Sequence, residues 1–297
     1  MEQEQNANEE HAIQWHPAFV SAMNLELARN REDLIFEKEY NLNTKPLEID
    51  LLIIKKNKAA RIRNEIGYFF REYNILEYKA PGDHLDVDVY YKATAYGCLY
   101  KAYAQTVDGR KAGDITLSLV RNAKPAGLLR YFSSAGTVIE NPYQGIYYLS
   151  GNEILFPTQI IVIRELFNES HTCLRVLTQK PQAGDINRFL NLMKSLEGKE
   201  DHAFAASILE VFAAANRKWI EKQKGECDLG SVLLEIMAPE LKEAEERAIE
   251  KGRQEGILEG ICGTVNVLRS LGISHTKIKE AVKKQYGLSD QEIERLL

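Results

Sequence analysis

The chain predicts an α/β domain followed by an all-helical C-terminal region, and three observations carry that prediction. Short apolar runs between residues 34 and 120 show the alternation or the continuous apolar character of strands. Helical spacing near 17–30 and again at 86–105 brackets them, which gives the order α-β-β-β-α-β. From about Ala183 the pattern becomes helical, with an Ala-rich face over Asp201–Lys224.

Each element has its own signal. Residues 1–14, with Glu2, Glu4, Glu9 and Glu10, read as a disordered acidic tail. Pro17 suits the first turn of a helix running to about Asn30. Leu34–Tyr40 alternates as a strand, and Asn41–Pro46 turns into a second strand over Leu47–Lys55. A basic connector and a short segment around Ile66–Arg71 follow. The third strand, Asn74–Ala80, stops at Pro81-Gly82-Asp83. Asp86 is placed to cap the helix at 86–105. Ile115–Val120 alternates as the fourth strand.

Beyond it, Gly127–Ser134 reads as a short helix. Gln144–Ser150 and Glu153–Ile163 flank Gly151-Asn152 in the manner of a hairpin. Ala238–Leu271 is charged and helical, interrupted by Gly252, Gly256, Gly260 and Gly263. Two short helices, His275–Tyr286 and Ser289–Leu297, close the chain. Leu258, Ile261, Val265 and Leu268 recur at a spacing that suits a partner helix, so a homo-oligomer through the C-terminal helices is expected. The resulting division is a tail at 1–14, a domain at 15–180 and a helical region at 181–297.

Composition narrows the function classes. With 297 residues, 44% hydrophobic and 27% charged, the chain can build a packed core. No apolar run approaches the ~18 residues of a membrane span. The acidic start is the opposite of a signal peptide, so a cytoplasmic protein is expected. Cys98, Cys173, Cys227 and Cys262 are far apart and read as reduced thiols. The net charge of −5 does not suit a general DNA-coating protein. It is uneven, however: residues 11–125 hold 17 Lys and Arg against 15 Asp and Glu. Lys55, Lys56, Lys58, Arg61 and Arg63 crowd together there, as a solvated connector or as a phosphate contact, and the connector is the first expectation.

Chemistry concentrates in two strands that carry charge where a buried strand should carry none. Asp50 sits mid-strand, with Leu52 and Ile54 on its own face and Ile49, Leu51 and Ile53 on the other. Glu77 and Lys79, two residues apart, share a face of the third strand. An ionised group so placed is costly unless it is paired or binds a metal. Two carboxylates and an ammonium from neighbouring strands are the parts of a metal-assisted hydrolase.

An acidic strand residue followed by Glu-x-Lys resembles the PD-(D/E)xK nuclease superfamily. The stretches His16-Pro17-Ala18-Phe19, Glu37–Leu42, Ile49–Lys56, Asn74–Lys79 and Tyr91–Tyr96 look like a bacterial branch of it, mostly of unknown function. The run Lys251–Gly256 is similar to tails of recombination-promoting nuclease or transposase-like relatives. The resemblance implies a restriction-endonuclease-like core with a mixed central sheet. It also implies Mg²⁺- or Mn²⁺-dependent cleavage of DNA, possible links to mobile elements, and a cation held by Asp50 and Glu77 with Lys79 positioning the attacking water. A glutamate of the first helix often completes such a site, and Glu26, on the apolar stripe with Phe19 and Met23, is the candidate for catalysis and metal binding. Ile49 stands where the motif has proline. Tyr91, Lys92 and Tyr96 are placed to line the site, with core packing the plainer role for both tyrosines. The competing reading is a catalytically inert nuclease-fold protein that acts by protein or nucleic-acid interaction through its helical tail. A helical-hairpin DNA reader at 274–297 is a third, with few arginines to support it.

Overall fold

The computed structural model describes residues 13–42, 48–167, 169–222, 260, 261, 263–265 and 268–286. They form helix α1 (Trp15–Glu26), strands β1 (Leu34–Asn41), β2 (Glu48–Lys55) and β3 (Tyr73–Lys79), helix α2 (Val87–Ala102) and strand β4 (Ile115–Arg121). The expected α-β-β-β-α-β order is therefore present. Then come α3 (Ala126–Ser134), β5 (Val138–Tyr143), β6 (Ile146–Ser150), β7 (Thr158–Val162), α4 (Thr172–Arg175), α5 (Ala183–Lys194), α6 (Lys199–Ala215), α7 (Arg217–Lys222) and α8 (His275–Tyr286). Strand β5 was not expected.

Among the described residues the strands make one mixed sheet of seven, in the order β1-β2-β3-β4-β7-β6-β5. β1, β2 and β3 are antiparallel neighbours, while β3, β4 and β7 run parallel. β4 and β7 are buried almost end to end, as strands covered on both faces must be. Side-chain alternation in β3 separates the two covering layers. Tyr78 points to α1, where Phe19 stacks on it at 4.5 Å between ring centroids. Ile75 points the other way, into a cluster with Leu52, Leu117, Tyr96 and Tyr100 beneath α2. Burying one such aromatic side chain is worth about 1.5–3 kcal/mol.

Several boundaries differ from the sequence reading for local reasons. α1 stops at Glu26 rather than Asn30, and the chain tightens into a 3₁₀ segment over Ala28–Asp33. Asn30 leaves helical geometry there because its amide is committed to a distant loop: it donates to Arg61 O and accepts from Arg63 N. Asp86 caps α2 as expected, accepting from Val89 N at 3.0 Å. The tight hairpin falls at Gln144-Gly145 between β5 and β6, not at Gly151-Asn152. β6 and β7 do pair antiparallel, through a longer connection. The expected single helix over Asp201–Lys224 breaks at Asn216, whose buried amide bonds Thr178 O and Phe212 O.

The chain divides into two compact units, Met1–Leu229 and Gly230–Leu297, instead of at 180/181. α5 and α6 belong to the first because they are pinned to it: α6 packs on α1, Arg31 pairs with Asp201, and Arg175 pairs with Asp185 at 2.9 Å. In the second unit Ile261 and Val265 are buried with Ile278 and Val282 of α8, and Leu268 packs against them. Much of the stripe expected to receive a partner helix is thus covered by its own chain. The acidic tail at 1–12, Leu258, the Lys251–Gly256 run and the helix expected at Ser289–Leu297 lie outside the described residues. No helix among the described residues is long and apolar enough to cross a membrane.

Candidate active site

β2 and β3 bring Asp50, Glu77 and Lys79 together. Leu51 and Leu76 are the last ladder pair of β2 and β3, and just beyond it the Asp50 carboxylate takes the Tyr78 N–H, next to Glu77. Glu77 is 1% exposed, and its Oε1 accepts from Lys79 Nζ at 2.8 Å and from Lys92 Nζ, on α2, at 3.3 Å. Its other oxygen, Oε2, is buried without a hydrogen-bond partner among the described residues.

Asp50 is 18% exposed at the side chain and accepts the backbone N–H of Tyr78 at 2.8 Å. Burial, and then the charge of Glu77, push its pKa up to about 6, against the pull of the Tyr78 N–H, His16 and Lys79. Two carboxylates in so little water repel each other, and the nearby ammonium groups offset this only in part. Lys92 feels the same field from the other side. Burial pulls its ammonium down, and Glu77 outweighs that and leaves it raised.

Glu26 is not part of this group. α1 begins over Asp50, where His16 Nε2 lies 3.6 Å from Asp50 Oδ2. Glu26 is ten residues further along, about 15 Å down the helix axis. Its carboxylate serves another cluster. Oε1 accepts from the N–H groups of Cys173 and Leu174 at the start of α4, and Oε2 meets His171 Nδ1 at 3.1 Å. His171 is fully buried, with Glu65 3.1 Å from its Nε2. Burial opposes charge on His171, but Glu26 and then Glu65 outweigh it and raise its pKa. Glu39 is exposed on β1, in a left-handed backbone conformation with φ of 49°.

Of the three α2 residues expected near the site, Lys92 reaches Glu77 and Tyr96 is buried core. Tyr91 is neither core nor at the carboxylates: it is exposed, with its hydroxyl 2.8 Å from that of Tyr131. His16 was missed. It carries no local motif, and only the docking of α1 over the end of β2 brings it to Asp50. Of the two cysteines among the described residues, Cys98 is exposed and Cys173 is buried.

Among the described residues no group of three or more His, Cys, Asp and Glu side chains is placed to hold a metal. Asp50 and Glu77 supply two hard oxygen donors, one buried and unpartnered. Mg²⁺ commonly takes one or two carboxylates and keeps several waters, so this pair suits it. No protein-family model matches the chain, nor does any curated protein or solved structure.

Proposed function

We propose that the chain is a Mg²⁺- or Mn²⁺-dependent nuclease that hydrolyses DNA phosphodiester bonds at Asp50, Glu77 and Lys79. The observation that carries this reading is the pair of buried carboxylates Asp50 and Glu77 on adjacent inner strands, where burial and then the charge of Glu77 raise Asp50 to about 6, with Lys79 bonded to Glu77. Restriction-endonuclease-like architecture is part of the same proposal, supported by the element order and the mixed sheet.

Asp50 and Glu77 would hold the cation. When bound, it would lower the pKa of water and neutralise charge growing on the phosphate. The chain's own groups do the rest. Glu77 Oε1 fixes the Lys79 ammonium, and an ammonium has three donors. Those not used by Glu77 can orient the attacking water or bind a phosphate oxygen. Lys92 adds a second positive charge on the α2 side, and Tyr78 N–H holds Asp50 in place. His16 stands half-exposed beside Asp50.

The test is nicking of supercoiled plasmid in Mg²⁺ or Mn²⁺. Wild type should cut, while Asp50→Asn and Lys79→Ala should each lose about 10²–10³ in rate. Equal cutting by all three proteins would reject the assignment.

A further inference from the structure

A second charged feature lies away from the carboxylate pair. The basic run after β2 does not behave as one solvated connector. Lys58 turns to Glu72 and Asp114 and is neutralised. Lys55 is buried, with its ammonium on Lys58 O at 2.9 Å. Arg61 and Arg63 are exposed on either side of buried Ile62.

Arg29 joins them across a cleft of about 870 Å³ that also takes in Lys55, Asp33 and Tyr68. Among the described residues no ion pair engages Arg29, Arg61 or Arg63. Within this cleft four cationic groups face one carboxylate, Asp33, which is itself held by Asn30 Nδ2 at 2.9 Å, while Arg29, Arg63 and Tyr68 also border a neighbouring cleft with Glu26, Glu65 and Glu169. The arrangement is preorganised. Buried Asn30 ties its own segment to the opposite wall through Arg61 O and Arg63 N, at 3.0 and 2.8 Å. Tyr68 is 56% exposed beside the arginines, and Tyr143 braces its ring at 5.6 Å.

We propose that this cleft binds a single strand of nucleic acid, with Arg29, Arg61 and Arg63 on backbone phosphates and Tyr68 stacked on a base. Unpaired guanidinium groups select phosphate oxygens, and an open aromatic ring selects a splayed base. Duplex DNA keeps its bases stacked inside and has no use for that ring. A free phosphate would leave most of the cleft empty. The site goes beyond the carboxylate pair and does not depend on it: Lys55 lies five residues along β2 from Asp50, about 16 Å away.

The experiment is fluorescence anisotropy of a labelled 20-nucleotide thymidine strand with the full chain, in EDTA so that no cleavage contributes, across a salt series. Replacing Arg29, Arg61 and Arg63 together by Gln should weaken binding at least about tenfold and cut the log-affinity against log-salt slope by about 2. Tyr68→Ala should weaken it about 5- to 150-fold with the slope unchanged. Asp50→Asn should bind like wild type, which separates this site from the proposed chemistry. Thermal melts should match wild type for both cleft variants, because the altered side chains are exposed. Failure of wild type to bind the strand would overturn the proposal. So would unchanged affinity in both cleft variants, preference for duplex with no effect of Tyr68→Ala, or displacement of the strand by inorganic phosphate or polyglutamate at equal charge.

Discussion

Asp50→Asn should make the protein more stable at neutral pH, not less. In the folded chain this carboxyl titrates at about 6, because it is buried and faces Glu77. In the unfolded chain an Asp titrates at about 4. The folded state therefore binds the extra proton between those values. Stability contributed by Asp50 is full below about pH 4, falls as pH rises towards 6, and then stays low, a loss of about 3 kcal/mol. Asn carries no charge and can still accept the Tyr78 N–H, although that bond loses its ionic strength, worth about 1 kcal/mol. The net gain should be about 1–3 kcal/mol at pH 7.5, or roughly 2–10 °C in melting temperature for a unit of this size. Magnesium narrows this gap. At ten times its dissociation constant it should add about 1.4 kcal/mol to wild type by linkage and nothing to Asp50→Asn. The assay is urea and thermal unfolding from pH 4.5 to 8, in EDTA and in Mg²⁺. A variant less stable than wild type at pH 7.5, with the same response to Mg²⁺, would refute the reasoning.

The remaining expectations rest on other contacts. Lys79→Ala should destabilise the fold by about 1–3 kcal/mol in urea melts, because it leaves buried Glu77 with only half-exposed Lys92 as its ionic partner. His171 stabilises the fold while protonated, since Glu26 and Glu65 raise its pKa. That contribution is full below its unfolded value of about 6.5 and is lost as pH rises through the higher folded value. His171→Gln should remove this slope above about pH 6.5 in pH-dependent melts, leaving the lower-pH slope of Asp50 in place. Gly145→Ala should cost about 2 kcal/mol or more in thermal unfolding. Its φ is +79°, and a Cβ would sit 2.6 Å from the backbone nitrogen of Leu166.

The elements with a clean local signal were readable from residues alone. β2 and β3 announced themselves through apolar runs with misplaced charge, and Asp86 announced α2 through its capping side chain. What escaped was set by tertiary partners. β5 is largely exposed and carries Asn141-Pro142, so it lacks the apolar signature of an inner strand. Asn30 leaves helical geometry in the segment after α1 because its amide bonds a loop thirty-one residues away. Glu26 occupies an apolar helical position, as expected, yet that position faces α4 and His171. Apolar periodicity says that a side chain is inside, not which neighbour it meets. Glu77 beside Lys79 was legible because the strand period fixes their common face, whereas the contact of His16 with Asp50 needed the docking of a helix end. The basic run looked like one solvated cluster. Only the fold shows that Lys58 is neutralised while Arg61 and Arg63 are left open.

The central claim is that Asp50 and Glu77 together form a cation site to which Glu26 contributes nothing. Calorimetric titration of Mn²⁺ into the full chain tests it most directly, with Asp50→Asn, Glu77→Gln and Glu26→Gln run in parallel. The account predicts saturable binding in wild type and in Glu26→Gln, and its loss in both site variants. Undiminished binding in Asp50→Asn and Glu77→Gln, or its loss in a folded Glu26→Gln, would contradict it.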